Sequence, residues 1–152
     1  MYRDVQSLPG GIEDTFVPGR NLMFGVLAAN RAAHFGAQHI VLGVNAVDYG
    51  GYPDCRESAM AAMEWAINEC FTGEQEGGII IDRPLMELDK TGIVELAVQL
   101  GRDCLDALAQ SHTCYAGECP PCGHCHACLQ RADGFDKAGV IDPLVFQVGI
   151  RR

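Results

Sequence analysis

The stretch from Thr113 to Cys128 reads Thr-Cys-Tyr-Ala-Gly-Glu-Cys-Pro-Pro-Cys-Gly-His-Cys-His-Ala-Cys and carries five of the chain's eight cysteines. Cysteine pairs separated by two residues let a tight turn aim both sulfurs at one ion, and four thiolates at about 2.3 Å satisfy tetrahedral zinc. Disulfides are the rival use of so many cysteines, and the redox compartment decides between the two. The opening Met1-Tyr2-Arg3-Asp4 is polar and has no apolar stretch of the kind a secretory signal needs. A cytoplasmic, reducing location is therefore expected, and the cluster reads as a metal site. On spacing alone two ligand sets stay open. Cys119, Cys122, Cys125 and Cys128 form an unbroken three-residue repeat, whereas Cys114 with the last three leaves Cys119 spare. Iron–sulfur ligation is disfavoured because a ferredoxin run closes as C-x3-C-P, while this one closes as C-x2-C followed by Leu129. With enough thiolates present, His124 and His126 read as exposed loop residues. A zinc ion held by four thiolates has no open position, so the site is expected to be structural.

The remaining sequence can build a core. Of 152 residues 48% are hydrophobic and 20% charged, which suits one domain over 1–152. Twenty acids against eleven bases leave a formal charge of −9, a sign that disfavours nucleic acid or anionic lipid as partner. Apolar runs such as Ile40 to Val44 and Ile79 to Ile81 fall far short of the roughly 20 residues that span a bilayer, so no membrane partner is expected.

Residues 1–20, with Pro9, Gly10, Gly11, Pro18 and Gly19, read as an irregular lead-in. Asn21 sits where a helix N-cap would, ahead of Leu22, Val26, Ala29 and Ala33 at helical spacing, with Gly36 as the stop. Ile40 to Val44 reads as a strand buried on both faces. Asp54 and Glu57 form a capping-box pattern before Met60, Met63, Ile67 and Cys70, and Ile79 to Ile81 reads as another strand. Ile93, Leu96, Ala97 and Leu100 mark a third helix, which Lys90 begins and Gly101 closes. Trp65 is assigned to the core, and Cys55, Cys70 and Cys104 to buried thiols. The alternation is that of an α/β protein. Two strands are too few for a sheet that covers three helices, since about five or six is usual. Oligomerisation, a partner or a longer gene product is expected to supply the rest.

Three motifs in order resemble the 7-cyano-7-deazaguanine (preQ0) synthase, or QueC, family across about residues 12 to 145. They are Phe16-Val17-Pro18-Gly19-Arg20-Asn21, the run from Gly43 through Asp48-Tyr49-Gly50-Gly51-Tyr52-Pro53-Asp54-Cys55 to Arg56, and the cysteine segment with its continuation Leu129 to Phe135. The resemblance implies an adenine-nucleotide hydrolase-like fold of the PP-loop pyrophosphatase, Rossmann-like type, here a partial parallel sheet with a zinc-binding segment over 112–135. It implies an ATP-dependent ligase that converts 7-carboxy-7-deazaguanine and ammonia to preQ0 on the way to queuosine and archaeosine. It maps zinc onto Cys114, Cys122, Cys125 and Cys128, and it places His126 where the family has an Asp. Guanine-like rings present two parallel N–H donors that one carboxylate accepts, so Asp48 and Asp54 are substrate-binding candidates. Tyr52 is available to stack, Arg56 to meet the substrate carboxylate, Arg20 and Asn21 to contact substrate or phosphate, and Lys90 to reach ATP phosphate. The local sequence equally allows Asp54 as a helix cap, Tyr52-Pro53 as a turn, and Arg56 and Lys90 as solvated side chains.

The family binds ATP with a Ser-Gly-Gly-x-Asp-Ser loop after a buried strand, because the amides of a glycine-rich turn cradle phosphate. Ser7-Leu8-Pro9-Gly10-Gly11 only echoes that loop. The chain is thus expected to be the C-terminal portion of such an enzyme, acting as a homo-oligomer or with an N-terminal segment. The competing expectation is a non-catalytic zinc-binding remnant or partner protein.

Overall fold

Helix α1, Arg20–Phe35, begins two residues before the position its sequence suggests. The computed structural model describes residues 7–8, 12–13, 16–71 and 77–144. Gly19, not Asn21, occupies the N-cap, with φ at 73° in the left-handed region where glycine carries no steric penalty. Asn21 lies inside the helix, and its amide donates to Asp54 Oδ2 at 3.1 Å. A carboxylate from a distant segment thus satisfies a terminal N–H that no local side chain reaches. Gly36 ends the helix as expected, its N–H returning to the Ala32 and Ala33 carbonyls.

Residues Ser7–Glu87 and those from Leu88 onward form two compact units, each with its own packing. In the first, α1 turns small residues inward: Gly25, Ala29 and Ala32 are buried, while Leu22, Met23, Phe24, Val26 and Leu27 stay exposed. A side chain at Gly25 would run into Met63 of α3, Glu57–Phe71, so the two helices approach closely there. Strands β3, His39–Val41, and β4, Ile80–Asp82, pair in parallel with Ile40 opposite Ile81. The run to Val44 was expected to be strand buried on both faces. Only three residues pair, and they alternate: Ile40 and Ile81 point into the core, whereas Val41 is 66% and Ile80 41% exposed. The reason is that α1 and α3 cover one face, and no described element covers the other.

The outer edge of β4 is closed by side chains of α3. Asn68 donates to the Ile79 carbonyl at 2.9 Å and accepts the Ile79 amide at 2.7 Å, and Glu64 accepts the Ile81 amide at 2.8 Å. These bonds stand in for a neighbouring strand and leave no template for further pairing at that edge. Met60, Met63 and Ile67, spaced at three and four residues, fill the core beneath. Trp65, assigned to the core, is 67% exposed because its position falls on the opposite side of that stripe. Cys55 is buried as expected, but Cys70 is exposed and Cys104 only half-buried.

Within the expected irregular lead-in, Ser7–Leu8 (β1) and Ile12–Glu13 (β2) pair antiparallel, and the rest of Ser7 to Thr15 lies outside the described residues. The asparagine cap expected at Asn21 occurs instead at Asn45, which accepts the Val47 amide at 3.1 Å and opens α2, Ala46–Gly51. A 3-10 turn, Pro53–Cys55, then leads into α3. Asp54 sits in this turn and does not cap α3, whose first amides, Ala59 and Met60, bond the Arg56 carbonyl.

In the second unit Asp89 caps α4, Lys90–Gln99, by accepting the Gly92 amide at 2.8 Å. Helix α5, Arg102–Ala107, continues through a 3-10 turn, Leu108–Gln110, into the cysteine segment, and α6, His126–Lys137, returns against α4. The contact is closest at Gly134, where a Cβ would lie 2.9 Å from Lys90 Cβ and 3.0 Å from its backbone carbonyl atoms. Among the described residues no helix is long and apolar enough to cross a membrane. Because backbone cannot yield as a side-chain tip can, Gly134→Ala is expected to destabilise the chain by about 1–3 kcal/mol despite alanine's better helix propensity. Urea denaturation of the two proteins measures this, and an unchanged midpoint would contradict the close approach.

Candidate metal centre and the Cys55 cluster

Gly123, at φ 75°, lets the chain turn between Cys122 and Cys125. The turn aims both sulfurs inward, and α6 begins on the second of them. Cys125 is the N-cap of α6, its Sγ accepting the Cys128 amide at 3.4 Å, and the Cys125 amide donates in turn to Cys122 Sγ at 3.4 Å. The Cys122 amide donates to Cys114 Sγ at 3.4 Å. These contacts gather Cys114, Cys122, Cys125 and Cys128 with all four sulfurs within 4.8 Å of one another. Cys122 Sγ and Cys128 Sγ are 3.9 Å apart. A tetrahedron with metal–sulfur bonds of about 2.3 Å has edges of about 3.8 Å, so the donor set fits a zinc-sized ion.

Cys119 is exposed and outside this group. His124 is exposed and bonds the Cys122 carbonyl at 2.9 Å, while His126, expected in a loop, is the first residue of α6 and pairs with Gln130.

Three of these thiols are shifted, not all in the same direction. Amide donation, first from Cys122 and then from Glu118 and Ala116, brings Cys114 down to about 6. Burial raises Cys125, but the amides of Cys128 and Tyr115 outweigh it and the balance is a lowered value. Burial, reinforced by the neighbouring sulfurs, pushes Cys128 up to about 12. At neutral pH Cys114 is thus poised as a thiolate while Cys128 is still protonated.

In the Ser7–Glu87 unit the structure brings Arg20, Asn21, Asp48, Tyr52 and Asp54 around buried Cys55. Asn21 joins the group twice, through its amide to Asp54 and through Nδ2 to Cys55 Sγ at 3.1 Å. Asp48 accepts from Asn45 Nδ2, and its carbonyl takes the Tyr52 amide at 2.8 Å. Burial, then the Asp54 and Asp48 charges, push the Cys55 thiol up to about 11, against the smaller opposing effects of Asn21 and Arg20. The Tyr52 ring stacks on Phe16 with centroids 5.7 Å apart. Beside the group a cleft of about 370 Å³ runs between α1 and α3, with Asp54 as the charged residue in an otherwise apolar lining. Arg56 is exposed at the head of α3, and Lys90 is half-buried as the first residue of α4 in the other unit. Sequence reasoning passed over Phe16 and Asn45. Asn45 had a legible signal, a capping residue just before a helix.

A small α/β unit with a parallel strand pair, and a helical unit carrying a four-cysteine metal-binding cluster, define the class of protein. The family model described as "Queuosine biosynthesis protein QueC" matches residues 3–139, and the chain belongs to that family. It is similar to proteins named 7-cyano-7-deazaguanine synthase from Chromobacterium violaceum, at 52% identity over 94% of this chain and 57% of that protein, and from Gloeobacter violaceus, at 49% over 95% and 62%. The same name belongs to a Thermoplasma acidophilum protein, 39% identical over 95% of the chain and 59% of its own length. The chain thus spans about three fifths of the length of these curated relatives.

Because Cys128 stays protonated at neutral pH until an ion displaces its proton, metal binding at pH 7.5 is expected to release at least about one proton per ion and to strengthen as pH rises. Below about pH 6, where Cys114 also takes up a proton, the fall in affinity should steepen. Zinc titration in weak buffer with a pH indicator checks both; proton-neutral binding would contradict the raised Cys128.

Proposed function

We propose that this chain forms the zinc-bearing and deazaguanine-binding portion of a 7-cyano-7-deazaguanine synthase. Such a ligase uses ATP and ammonia to turn the carboxylate of 7-carboxy-7-deazaguanine into a nitrile in queuosine or archaeosine biosynthesis. The observation that carries the reading is the 52% identity across 94% of the chain to a protein of that name. The gathering of Arg20, Asn21, Asp48, Tyr52 and Asp54, from the segment after β3 and the start of α1, supports it. Open α/β sheets bind ligands outside the carboxyl ends of their strands.

Asp48 and Asp54 would accept the ring N–H and 2-amino donors, since a carboxylate's two oxygens offer about four acceptor sites. Tyr52, already stacked on Phe16, would offer an aromatic face to the heterocycle. Arg56 would meet the substrate carboxylate and Lys90 an ATP phosphate, in the catalytic roles that convert a poor electrophile into an activated one. Arg20 and Asn21 would hold substrate or phosphate. Zinc, held by Cys114, Cys122, Cys125 and Cys128, would cross-link the segment over 112–135 and supply no open coordination position.

The fold would be a partial PP-loop, Rossmann-like sheet. Because β4 is closed by α3, further strands would add beside β3, from an N-terminal segment or another copy of the chain. A cytoplasmic location accords with reduced thiols.

Elemental analysis of purified protein is expected to show about one zinc per chain, retained by Cys119→Ser and lost or weakened by Cys114→Ser. The reverse pattern would favour the local three-residue repeat. Supplying the N-terminal segment of a related enzyme, fused or as a second chain, should yield preQ0 from 7-carboxy-7-deazaguanine, ATP and ammonia, whereas the chain alone should not. Asp54→Asn should weaken substrate binding by about tenfold, read by calorimetry, because an amide opposes a donor to one substrate N–H. A complemented protein with zinc but no substrate binding would leave a non-catalytic zinc protein as the reading.

A further inference from the structure

We propose that Arg131 is the positioning residue of the metal centre: it ties the segment that leads to Cys114 to the helix that carries Cys128. The proposal rests on the metal reading above. Three of the four sulfurs are placed by local chain geometry. Cys122, Cys125 and Cys128 follow one another at the head of α6, each linked to the next by an amide-to-sulfur bond. Cys114 comes from elsewhere. It follows the 3-10 turn Leu108–Gln110, and the residues between it and Cys122 run through an exposed stretch from Tyr115 to Pro120. One amide contact, from Cys122, reaches its sulfur from the α6 side.

Arg131 lies one turn beyond Cys128 on α6, and its guanidinium spans the gap. Nη1 donates to the Ser111 carbonyl at 3.1 Å and to Ser111 Oγ at 2.8 Å, and Nη2 donates to the Leu108 carbonyl at 3.0 Å. The other side of the fork pairs with Asp142, from Nε at 2.6 Å and Nη2 at 2.8 Å. These five bonds match the five N–H donors a guanidinium owns. Asp142 is itself fixed by the Leu144 amide, 2.9 Å from Oδ1. The two side chains are only 11% and 9% exposed, so the pair is shielded from water and from salt. Asp142 neutralises the cation and holds its plane, while Ser111 and Leu108 receive the orienting bonds. A lysine could not do this, because an ammonium is a point charge without a planar fork. Cys114 stands three residues beyond Ser111, close enough along the chain to inherit that register.

Cobalt(II) titration of the full chain tests the proposal, with affinity read by competition with a chromophoric chelator and ligand number by the thiolate-to-cobalt charge-transfer bands. Arg131→Gln is expected to lower cobalt affinity by about 10- to 100-fold. It should also reduce the charge-transfer intensity by about a quarter, as one of four thiolates is lost. Arg131→Lys should not restore either quantity. In a Cys114→Ser background Arg131→Gln should have no further effect, since Arg131 acts through Cys114. Wild-type affinity and spectrum in Arg131→Gln, or an equal loss in the Cys114→Ser background, would overturn the assignment while leaving the metal centre intact. A wild-type chain without thiolate bands would remove the metal reading and the proposal with it. Should Arg131→Gln lose its helical circular dichroism, Ser111→Ala deletes the Arg131 bond to Ser111 Oγ, together with the bond from that hydroxyl to the Leu108 carbonyl, and spares the ion pair. It is expected to weaken cobalt by about fivefold, and no change would again overturn the assignment.

Discussion

Four sulfur atoms held within 4.8 Å of one another are the constraint on which the Leu88-onward unit depends. As thiolates they repel, and as thiols they offer little binding energy to hold a Pro- and Gly-rich loop in place. The protein answers with amides: three backbone N–H groups donate to three of the sulfurs, and α6 starts where its N-terminal amides face the cluster. Partial positive charge at a helix N-terminus favours thiolate there. At Cys125 burial is outweighed by the amides of Cys128, in α6, and Tyr115, at Cys114 the amides of Cys122, Glu118 and Ala116 lower the thiol, and at Cys128 burial and the neighbouring sulfurs raise it. Cys114 is poised as a thiolate and Cys128 as a thiol before any ion arrives, and an ion completes the cluster by displacing the remaining proton.

In the Ser7–Glu87 unit the recurring device is a side chain taking a backbone partner's place. Asn68 and Glu64 complete the edge of β4, Asp54 completes the start of α1, and Asn45 completes the start of α2. A chain with one short parallel pair cannot satisfy its amides by strand ladder alone, and polar side chains at defined positions offset the deficit. The same bonds draw the polar residues that the family motifs contribute into one neighbourhood. Asn21 and Asp54 are 33 residues apart in sequence, yet their contact brings the first motif onto the second.

Several features were legible because they are local. Gly36 stops α1 by its freedom at positive φ, Lys90 opens α4 directly after a capping Asp89, and the stripe Met60, Met63, Ile67 faces inward at helical period. Others misled for equally physical reasons. Trp65 looks like core by size, but its place on the helix turns it outward. Asp54 and Glu57 have the spacing of a capping box, but the 3-10 turn Pro53–Cys55 swings the Asp54 carboxylate toward α1. The apolar run from Ile40 reads as doubly buried, whereas alternation leaves Val41 bare.

The sequence by itself determined the chemistry on offer, which is a cysteine segment with metal-ligand spacing, an α/β alternation and an ordered set of family motifs. The first two are properties of residue type and of the 3.6- and 2-residue repeats of helix and strand, and the third is a resemblance. Spacing alone left open which four of five sulfurs converge, a choice the family resemblance anticipated and the tertiary structure shows, and only the tertiary structure decided which face of α1 is buried and what Asp54 binds. Each of these depends on which distant segments meet. Spacing cannot encode that, because Cys119 has the better local repeat and yet stays in solvent, while Cys114, eight residues before Cys122, is carried to the cluster.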